Sequence, residues 1–305
     1  MSGTIVTVGT FDGFHRGHRH LIATLVNEGH RRGLEPLVMS FFRHPLSVLR
    51  PDAAPPLLSD REQLRRDLRA AGVDRLVLID FTRETAALTA RQFMAMLRRD
   101  YDARALLMGY NNSLGSDRLP SHADYIATGR SEGIDVIFDW PFIDPATDIA
   151  PNSTMLRTVV AEGRMNDYRR YAGSAFAISG TIARGKRNGH LLGFPTLNLS
   201  FEAGHALPLH GVYRGRVAIA GATATAMPAV INVGSNPSIA ADNPVTIEAH
   251  VIDAELGELY GSRATFFFDS RLRDEQRFAS LDELRAAIAA DIATCRQALN
   301  EDCSI

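Results

Sequence analysis

Cysteine is scarce in this chain, which has 305 residues and only two cysteines, Cys295 and Cys303. Two thiols cannot build a disulfide framework or a zinc site with four cysteine ligands. No apolar run approaches the roughly 18 residues that a bilayer crossing needs. The opening segment, MSGTIVTVGTFDG, lacks the basic and apolar regions of a signal peptide. We therefore expect a cytoplasmic protein that has no membrane partner.

An excess of one charge is also missing, because 33 lysines and arginines face 35 aspartates and glutamates, for a net charge of −2. A nearly neutral chain gives no indication of a nucleic-acid partner. Hydrophobic residues make up 45% and charged residues 22%, as in ordinary globular proteins. At roughly 150 residues per domain, the length suggests two domains. The sequence leaves the oligomeric state open.

The first half alternates short apolar strands with amphipathic helices. The predicted strands are 4–9, 36–42, 75–81, 103–109 and 134–140, and the predicted helices are 18–32, 59–71, 89–101, 121–133 and 153–162. Ser59 with Glu62, and Thr89, are the expected helix caps. This order is typical of an α/β doubly wound parallel sheet of the Rossmann-like kind. Ligands of such sheets bind at the carboxyl ends of the strands.

The second half is richer in short strands that glycine and proline separate. Strand-like segments occur at 174–183, 210–219, 224–234, 245–253 and 262–269. Closely spaced strands of this kind favour an antiparallel β-barrel. One strong helix follows at 280–300, with Ser280 as its cap and Glu283 completing a capping box. We place the two domains at 1–165 and 171–305.

The most informative motif is the segment TFDGFHRGH at 10–18, directly after the first predicted strand. The N–H groups at a helix start attract anions, and Gly13 and Gly17 let the backbone approach a phosphate. His15 and His18 can donate hydrogen bonds to phosphoryl oxygens. This arrangement predicts nucleotidyl transfer.

Two other interpretations of these histidines remain open. They could bind zinc together with His20, although no carboxylate or cysteine stands at metal-binding spacing. They could also be ordinary capping or surface residues. Ser153 and Thr154 begin the last helix of this half, with Arg157 one turn further on, and these residues suit a triphosphate. A serine–threonine helix start is also a common plain N-cap.

A glycine-rich segment opens the second half, with Gly180, Gly185 and Lys186 in the spacing of a P-loop. Arg187 stands where a P-loop needs serine or threonine, so we reject a P-loop NTPase. The segment could still hold phosphates through its amides, or could be an ordinary hairpin. In the following GFPTLN, Thr196 and Asn198 alternate on one strand face, where their oxygens could bind one Mg²⁺.

These motifs, in this order, resemble the bacterial bifunctional riboflavin kinase/FAD synthetase family over nearly the whole chain. The matching segments are FDGFHRGH at 11–18, NSTMLR at 152–157, GFPTLN at 193–198, HGVY at 210–213, VINVGSNPS at 230–238, TIEAHV at 246–251 and LRDEQRF at 272–278. The resemblance implies an HxGH nucleotidyltransferase domain followed by a riboflavin kinase domain. It implies riboflavin, FMN and ATP as substrates, Mg²⁺ as cofactor, and FMN and FAD as products.

The resemblance also assigns roles in the first domain. His15, His18 and Arg157 are implied to be catalytic, and Asn111 to contact the flavin. The implied ATP-binding residues are Gly9, Thr10, Phe11, Asp12, Gly13, His15, His18, Ser153, Thr154 and Arg157. Two positions depart from the family, since Leu114 stands where an aromatic residue is usual and Asn152 replaces a serine.

In the second domain, Glu248 is implied to be the catalytic base, and Glu248, Arg273 and Glu275 to bind the flavin. The implied ATP-binding residues are Gly180, Gly185, Lys186, Gly193, Pro195, Thr196 and Asn198, of which Thr196 and Asn198 would hold Mg²⁺. His190 stands where an arginine is more usual. The alternatives are a protein in which only the kinase half is active, and a flavin-binding or regulatory protein with inert sites.

Overall fold

The computed structural model describes residues 3–41, 44–73, 75–185, 193–221, 225–235, 245–254 and 256–302. The chain forms two compact units, Met1–Ser153 and Thr154–Ile305. Lys186 and His190, two positions singled out above, lie outside the described residues, as does Cys303.

The first compact unit contains a five-stranded sheet. Its strands are β1 (Thr4–Val8), β2 (Glu35–Phe41), β3 (Arg75–Ile79), β4 (Ala103–Gly109) and β5 (Asp135–Asp139). The order is β3-β2-β1-β4-β5, and every neighbouring pair is parallel. This confirms the predicted doubly wound parallel sheet. The carboxyl ends of β1 and β4 are adjacent in this order, and those of β4 and β5 likewise.

Helices cover both faces of the sheet. They are α1 (Arg16–Arg32), α2 (Pro45–Leu49), α3 (Arg61–Ala70), α4 (Arg83–Ala87), α5 (Ala90–Tyr101) and α6 (His122–Ser131), with a 3₁₀ turn at Pro51–Ala53. Ile5 belongs to the core on one face, which α1 and α3 cover, and Val6 belongs to the core on the other, under α5 and α6. Successive residues of β1 therefore point into different cores, as in any strand buried on both sides.

The helix caps partly follow the sequence prediction. Thr89 caps α5, and a capping box with Gln92 is formed. The predicted cap Ser59 is wrong, because Asp60 caps α3 and its carboxylate accepts a hydrogen bond from the N–H of Gln63 at 2.7 Å. Ser59 lies one residue too early, and its hydroxyl instead accepts from the N–H of Gly13 at 3.1 Å.

The second compact unit starts with two helices, α7 (Ser153–Ala161) and α8 (Met165–Ala172). Helix α8 lies where the sequence predicted only a domain boundary. It packs on the following strand, since the rings of Tyr168 and Phe176 meet edge to face at 5.2 Å. The N–H of Leu209 also donates to the carbonyl of Val160 at 3.3 Å. These contacts place both helices with the barrel, and the functional boundary between 165 and 171 stays a prediction.

Six antiparallel strands form a closed barrel in the order β10-β7-β6-β11-β8-β9. The strands are β6 (Phe176–Ala183), β7 (Leu197–Ser200), β8 (Gly211–Ile219), β9 (Met227–Ser235), β10 (Val245–Val251) and β11 (Arg263–Arg273). Along β10, Ile247 and Ala249 are buried in the core, whereas Glu248 and His250 alternate with them and are only partly covered. This alternation puts the polar side chains of β10 on the outer face of the barrel. The predicted barrel is confirmed.

The terminal helix α9 (Leu281–Asp302) packs against that outer face. Its start carries the expected cap, because the Ser280 hydroxyl accepts from the N–H of Glu283 at 3.2 Å. The Glu283 carboxylate accepts from the N–H of Ala279 at 3.0 Å, one residue earlier than a standard capping box requires.

Gly180 lies inside β6, where no side chain fits, because a Cβ there would lie 2.2 Å from the carbonyl oxygen of Ser200. We expect Gly180→Ala to lower the free energy of unfolding of the barrel by about 1–3 kcal/mol. Gly257→Ala is the matched control, since a Cβ at that glycine meets nothing within 4 Å. Urea denaturation followed by circular dichroism checks both variants. Equal stability of the two variants would contradict the packing described here.

Candidate active sites

The loop between β1 and α1 has an unusual backbone. Phe11, Gly13 and Phe14 have positive φ angles of 50°, 76° and 32°. Two of these are phenylalanines, which rarely adopt this conformation. Both phenylalanine rings are 1% exposed and belong to the core of the first unit, so their burial holds the loop in this shape. The loop backbone is therefore fixed before any ligand arrives.

Asp12 anchors this loop through its side chain. The buried carboxylate accepts hydrogen bonds from the N–H groups of Leu58 at 2.9 Å and Ser59 at 3.2 Å. The carbonyl of Asp12 accepts from the Ser153 hydroxyl at 2.8 Å. Asp12 and Ser153, both predicted to bind ATP, thus contact each other. The Asp12 carboxylate is used by the backbone N–H groups of Leu58 and Ser59.

The residues before Asp12 are also tied to the sheet. The N–H of Gly9 donates to the carbonyl of Met39 at 3.1 Å, and the carbonyl of Thr10 accepts from the Ser40 hydroxyl at 3.3 Å. The buried Phe11 ring meets the His18 ring edge to face at 5.2 Å. In this conformation the Phe11 side chain packs in the protein and supports His18.

His15 and His18, the imidazole pair, lie at the start of α1. Nδ1 of His15 accepts a hydrogen bond from the N–H of His18 at 3.2 Å, which makes His15 the N-cap of the helix. Because Nδ1 is an acceptor, the neutral His15 ring carries its proton on Nε2. The two rings stack at 3.6 Å between centroids, with 24° between their planes.

Both imidazoles are neutral at pH 7 in the unliganded protein. Burial lowers the pKa of His15 to about 4. Burial also lowers the pKa of His18 well below its ordinary value, and the neighbouring His15 lowers it further. Nδ1 of His18 is buried and has no hydrogen-bond partner among the described residues. The described parts of the chain hold no group of three or more His, Cys, Asp or Glu side chains placed to bind a metal.

The remaining predicted residues of the first site lie on α7 and after β4. Helix α7 begins at Ser153, and Thr154 and Arg157 follow on it within the second compact unit. Asn111 is exposed in the turn after β4. Leu114, which stands in place of an aromatic residue, packs on the core, and its N–H and carbonyl both bond to the Tyr125 hydroxyl, at 3.1 and 3.0 Å.

An aromatic group at the ends of β4 and β5 was missed from the sequence. Tyr110 and Trp140 stack at 4.5 Å with 19° between their planes, and Trp140 is 69% exposed. His122 meets Tyr110 edge to face at 4.7 Å and stacks on Phe138 at 3.8 Å. The sequence did contain a signal for this group, because Tyr110 directly follows β4 and Trp140 directly follows β5.

The second site lies on the outer face of the barrel. The Thr196 hydroxyl donates to the Glu248 carboxylate at 3.2 Å. Asn198 on β7 lies directly opposite Glu248, and so does Asn232 on β9. Three polar side chains on neighbouring strands therefore share one face. Asn232 was missed as a site residue, although it is a polar residue between valine-rich positions of its strand.

The glycine segment before β7 differs from the predicted loop. Gly180 is a residue of β6 and not of the loop that follows it. Gly185 does lie beside the site, since a Cβ there would meet Nδ2 of Asn198 at 2.2 Å. Gly193 has a positive φ of 82°. The Pro195 carbonyl accepts a hydrogen bond from Nδ1 of His250 at 2.9 Å, which fixes the chain just before Thr196.

Glu248, Arg273 and Glu275 line one cavity of about 330 Å³ together with Thr196. Its apolar lining is formed by Phe194, Val212, Val230, Leu284 and Ile288. The Arg273 guanidinium binds the Asp291 carboxylate of α9 with three contacts of 2.8–3.2 Å. Glu275 lies 3.9 Å from Nδ1 of His210. The cavity thus combines polar groups, Glu248 and the Arg273–Asp291 ion pair among them, with an apolar lining.

Comparison with known proteins agrees with this division. The FAD synthetase family matches residues 1–149, and the riboflavin kinase family matches residues 172–299. The bifunctional riboflavin kinase/FMN adenylyltransferase of Escherichia coli K12 is 34% identical over 97% of this chain and 92% of its own. The enzyme of that name from Pseudomonas fluorescens is 32% identical over 96% of this chain and 92% of its own.

A solved structure supports the fold. A protein named as a macrolide-efflux protein of Streptococcus pneumoniae has a TM-score of 0.85 and 27% identity, over 97% of this chain and 94% of that one. In the described part of this chain, no helix has the length and apolar character that a membrane crossing requires.

The two folds and their sites define a two-domain enzyme that pairs a nucleotidyltransferase with a flavin kinase. The chain belongs to the bifunctional riboflavin kinase/FMN adenylyltransferase family.

The low pKa of His15 makes stability depend on pH. An unfolded imidazole takes up a proton near pH 6.5, whereas folded His15 does so only near pH 4. The contribution of neutral His15 to the free energy of unfolding is therefore complete above pH 6.5. It is lost as the pH falls from 6.5 to about 4, because the unfolded chain then binds a proton that the folded chain does not. We expect His15→Asn, which keeps a capping group, to show a shallower loss of unfolding free energy in urea titrations over this range. Parallel curves for the variant and the wild type would contradict the burial of His15.

Proposed function

We propose that this chain makes FAD in two steps, with ATP as the donor in both. The barrel domain transfers the γ-phosphoryl group of ATP to riboflavin and gives FMN and ADP. The first domain then transfers the adenylyl group of ATP to FMN and gives FAD and pyrophosphate. The observation that carries the proposal is the stacked imidazole pair at the start of α1. A chain with only kinase activity has no need of that geometry.

In the kinase step, Glu248 accepts the proton of the riboflavin 5′-hydroxyl. The hydroxyl oxygen forms its bond to the γ-phosphorus as the bond from that phosphorus to the bridging oxygen of ADP breaks. The Thr196 hydroxyl donates to the carboxylate and so holds it in one orientation. A base that is oriented before the substrate binds loses less entropy in the transition state.

Mg²⁺ fits the oxygen atoms present here. The Thr196 hydroxyl donates a hydrogen bond to Glu248 and keeps its oxygen lone pairs, and Asn198 supplies an amide oxygen on the same face. Oxygen ligands of this kind are the ones a hard cation prefers. Thr196 and Asn198 would hold the ion, which would neutralise charge on the ATP phosphates. Gly185 and Gly193 would bind the nucleotide through their backbone, and Lys186 would add a positive charge. Pro195 has no N–H and its carbonyl accepts from His250, so it would shape the chain beside the nucleotide.

The apolar part of the cavity would take the isoalloxazine ring. Phe194, Val212 and Val230 form one wall, and α9 forms the other with Leu284 and Ile288. Arg273 is bound to Asp291, so it positions α9 over the cavity. Glu275 lies at the edge, where it can accept hydrogen bonds from the flavin.

In the adenylyl step, an FMN phosphate oxygen attacks the α-phosphorus of ATP, and the bond from that phosphorus to pyrophosphate breaks. The Nε2–H of His15 is the available donor, since Nδ1 is occupied by the helix. His18 stands beside it and can stabilise the charge on the α-phosphate. Ser153, Thr154 and Arg157 would hold the triphosphate.

Backbone groups and rings would complete the first site. Gly9, Thr10 and Gly13 would face the nucleotide through the backbone, while Phe11 and Asp12 keep the loop in shape. Asn111 would contact the flavin. The exposed Trp140 ring, stacked on Tyr110, offers a flat surface for a ring of either substrate. With few cysteines in the chain, we place both reactions in the reducing cytoplasm.

His18→Ala is expected to lower FAD formation by about 100-fold or more, because a donor to the transition state is lost. FMN formation should continue at the wild-type rate. Liquid chromatography of riboflavin incubated with Mg²⁺ and ATP measures both products. His30→Ala, at the exposed end of the same helix, is the control. If FAD formation survives in the His18 variant, the assignment of the first site is wrong.

Glu248→Ala and Glu248→Gln should both lower FMN formation by about 100-fold or more, because neither side chain can take the hydroxyl proton. The glutamine variant keeps an oxygen that can accept from the Thr196 hydroxyl. It therefore separates loss of the base from loss of this hydrogen bond. FMN added to either variant should still become FAD. Glu258→Gln, an exposed change in the same unit, is the control. Full activity of Glu248→Gln would refute a base role.

A further inference from the structure

One row of side chains crosses the outer face of the barrel at the level of Glu248. Asn198 on β7 and Asn232 on β9 both lie directly opposite Glu248 on β10. Val212 on β8 lies directly opposite Asn232. In strand order the row is therefore Asn198, Glu248, Asn232 and Val212. Each step along it is about 4.8 Å, the usual distance between neighbouring strands.

The two ends of this row differ in chemistry. At the Asn198 end, Gly185 comes so close that a Cβ there would lie 2.2 Å from Nδ2 of Asn198. This is the end at which we place the nucleotide. At the other end, Val212 is 5% exposed and belongs to an apolar cluster with Val230. Glu248 thus lies between a polar end and an apolar end.

Asn232 stands between the carboxylate and the apolar end. Its neighbours Ile231 and Val233 are fully buried in the barrel core, so Asn232 alternates with them and faces outward. It lines the same cavity as Glu248 and Val230. A side-chain amide has two N–H donors and an acceptor oxygen. Asn232 therefore brings hydrogen-bonding capacity to a stretch of the cavity that is otherwise lined by valines.

Riboflavin must cross this position if it is bound as proposed above. Its 5′-hydroxyl lies at Glu248, and its isoalloxazine ring lies in the apolar part of the cavity. The ribityl chain joins the two and carries hydroxyl groups at 2′, 3′ and 4′. Hydroxyl groups that leave water without finding a new partner weaken binding. The polar group beside their path is the Asn232 amide.

We propose, on the basis of that kinase function, that Asn232 binds the inner hydroxyl groups of the ribityl chain. Its N–H donates to one hydroxyl, and its oxygen accepts from a neighbouring one. Glu248 then acts on the terminal hydroxyl alone. A site built to hydrogen-bond a hydroxyl discriminates against an analogue that lacks it. Asn232 thereby makes the kinase site selective for flavins that carry a polyhydroxylated chain.

Release of ADP by the full chain tests this role with two acceptors. One is riboflavin, and the other is its analogue with a 5-hydroxypentyl chain, which keeps the terminal hydroxyl and lacks the inner ones. ADP reports the barrel step alone, since the adenylyl step releases pyrophosphate. We expect Asn232→Leu to lower kcat/KM for riboflavin by about tenfold, mainly through a higher KM. For the analogue, kcat/KM should change by less than about twofold.

Asn232→Ala is measured beside the leucine variant, because it adds no bulk to the cavity, and the same pattern is expected. Melting curves followed by circular dichroism show that the variants compared are folded. Asn166→Ala is the control, since Asn166 is exposed on α8 of the same unit. It should match the wild type with both acceptors.

Two results would overturn the proposal. The first is an equal loss with both acceptors, carried by kcat, which would mean that Asn232 holds Glu248 and not the ribityl chain. The second is unchanged kinetics with riboflavin in the leucine variant. A wild-type chain that releases no riboflavin-dependent ADP would instead refute the kinase function itself, and the role of Asn232 with it.

Discussion

Backbone pairing between strands fixes the chemistry of both domains. In the barrel, the register of β10 with β7 and β9 puts Asn198, Glu248 and Asn232 in one row. In the first domain, parallel pairing brings the ends of β1, β4 and β5 to one edge of the sheet. A slip of one residue in either sheet would turn these side chains toward the core. The apolar residues that alternate with them make such a slip costly, and so protect the sites.

The two candidate sites would manage phosphate charge in different ways. The first has two imidazoles at the start of a helix, and they are uncharged because burial lowers the pKa of each. It therefore adds hydrogen bonds without a fixed positive charge, and the helix start supplies the partial charge. The second has a carboxylate beside hard oxygen donors, and in the proposed mechanism a bound Mg²⁺ would balance the phosphate charge there. In the proposed mechanism each arrangement suits the atom it would act on, since the imidazoles would polarise a phosphate that is attacked and the carboxylate would take a proton from an alcohol.

Local sequence patterns predicted much of this molecule. The strands of the first domain appeared within two residues of their expected bounds, because apolar periodicity and short connections determine them. The barrel followed from closely spaced strands. Helix α8 was missed because Gly163 and Gly173 flank a polar segment that looked like a linker, although Met165, Tyr168 and Tyr171 form a buried face.

Side-chain partners were harder to predict, because they depend on contacts across strands. Asn232 gains its place from a register with β10 that no local pattern reveals. Asp12 looked like a ligand to ATP, yet its carboxylate bonds to the backbone of Leu58 and Ser59, which are far away in sequence. Gly180 looked like part of a loop because glycine is common in loops, whereas here the absent side chain allows two strands to approach.

Strand β11 contains a β-bulge, because Phe268 pairs with Gly215 and Ser270 with Arg214, which leaves Asp269 as an extra residue. The same strand carries Asp269, whose carboxylate binds the Arg169 guanidinium of α8. Arg273, which binds Asp291 of α9, lies at the end of the strand. Deleting Asp269 would leave Ser270 paired with Arg214, but it would remove the carboxylate that Arg169 of α8 and Arg216 share. One strand therefore fastens both α8 and α9 to the barrel.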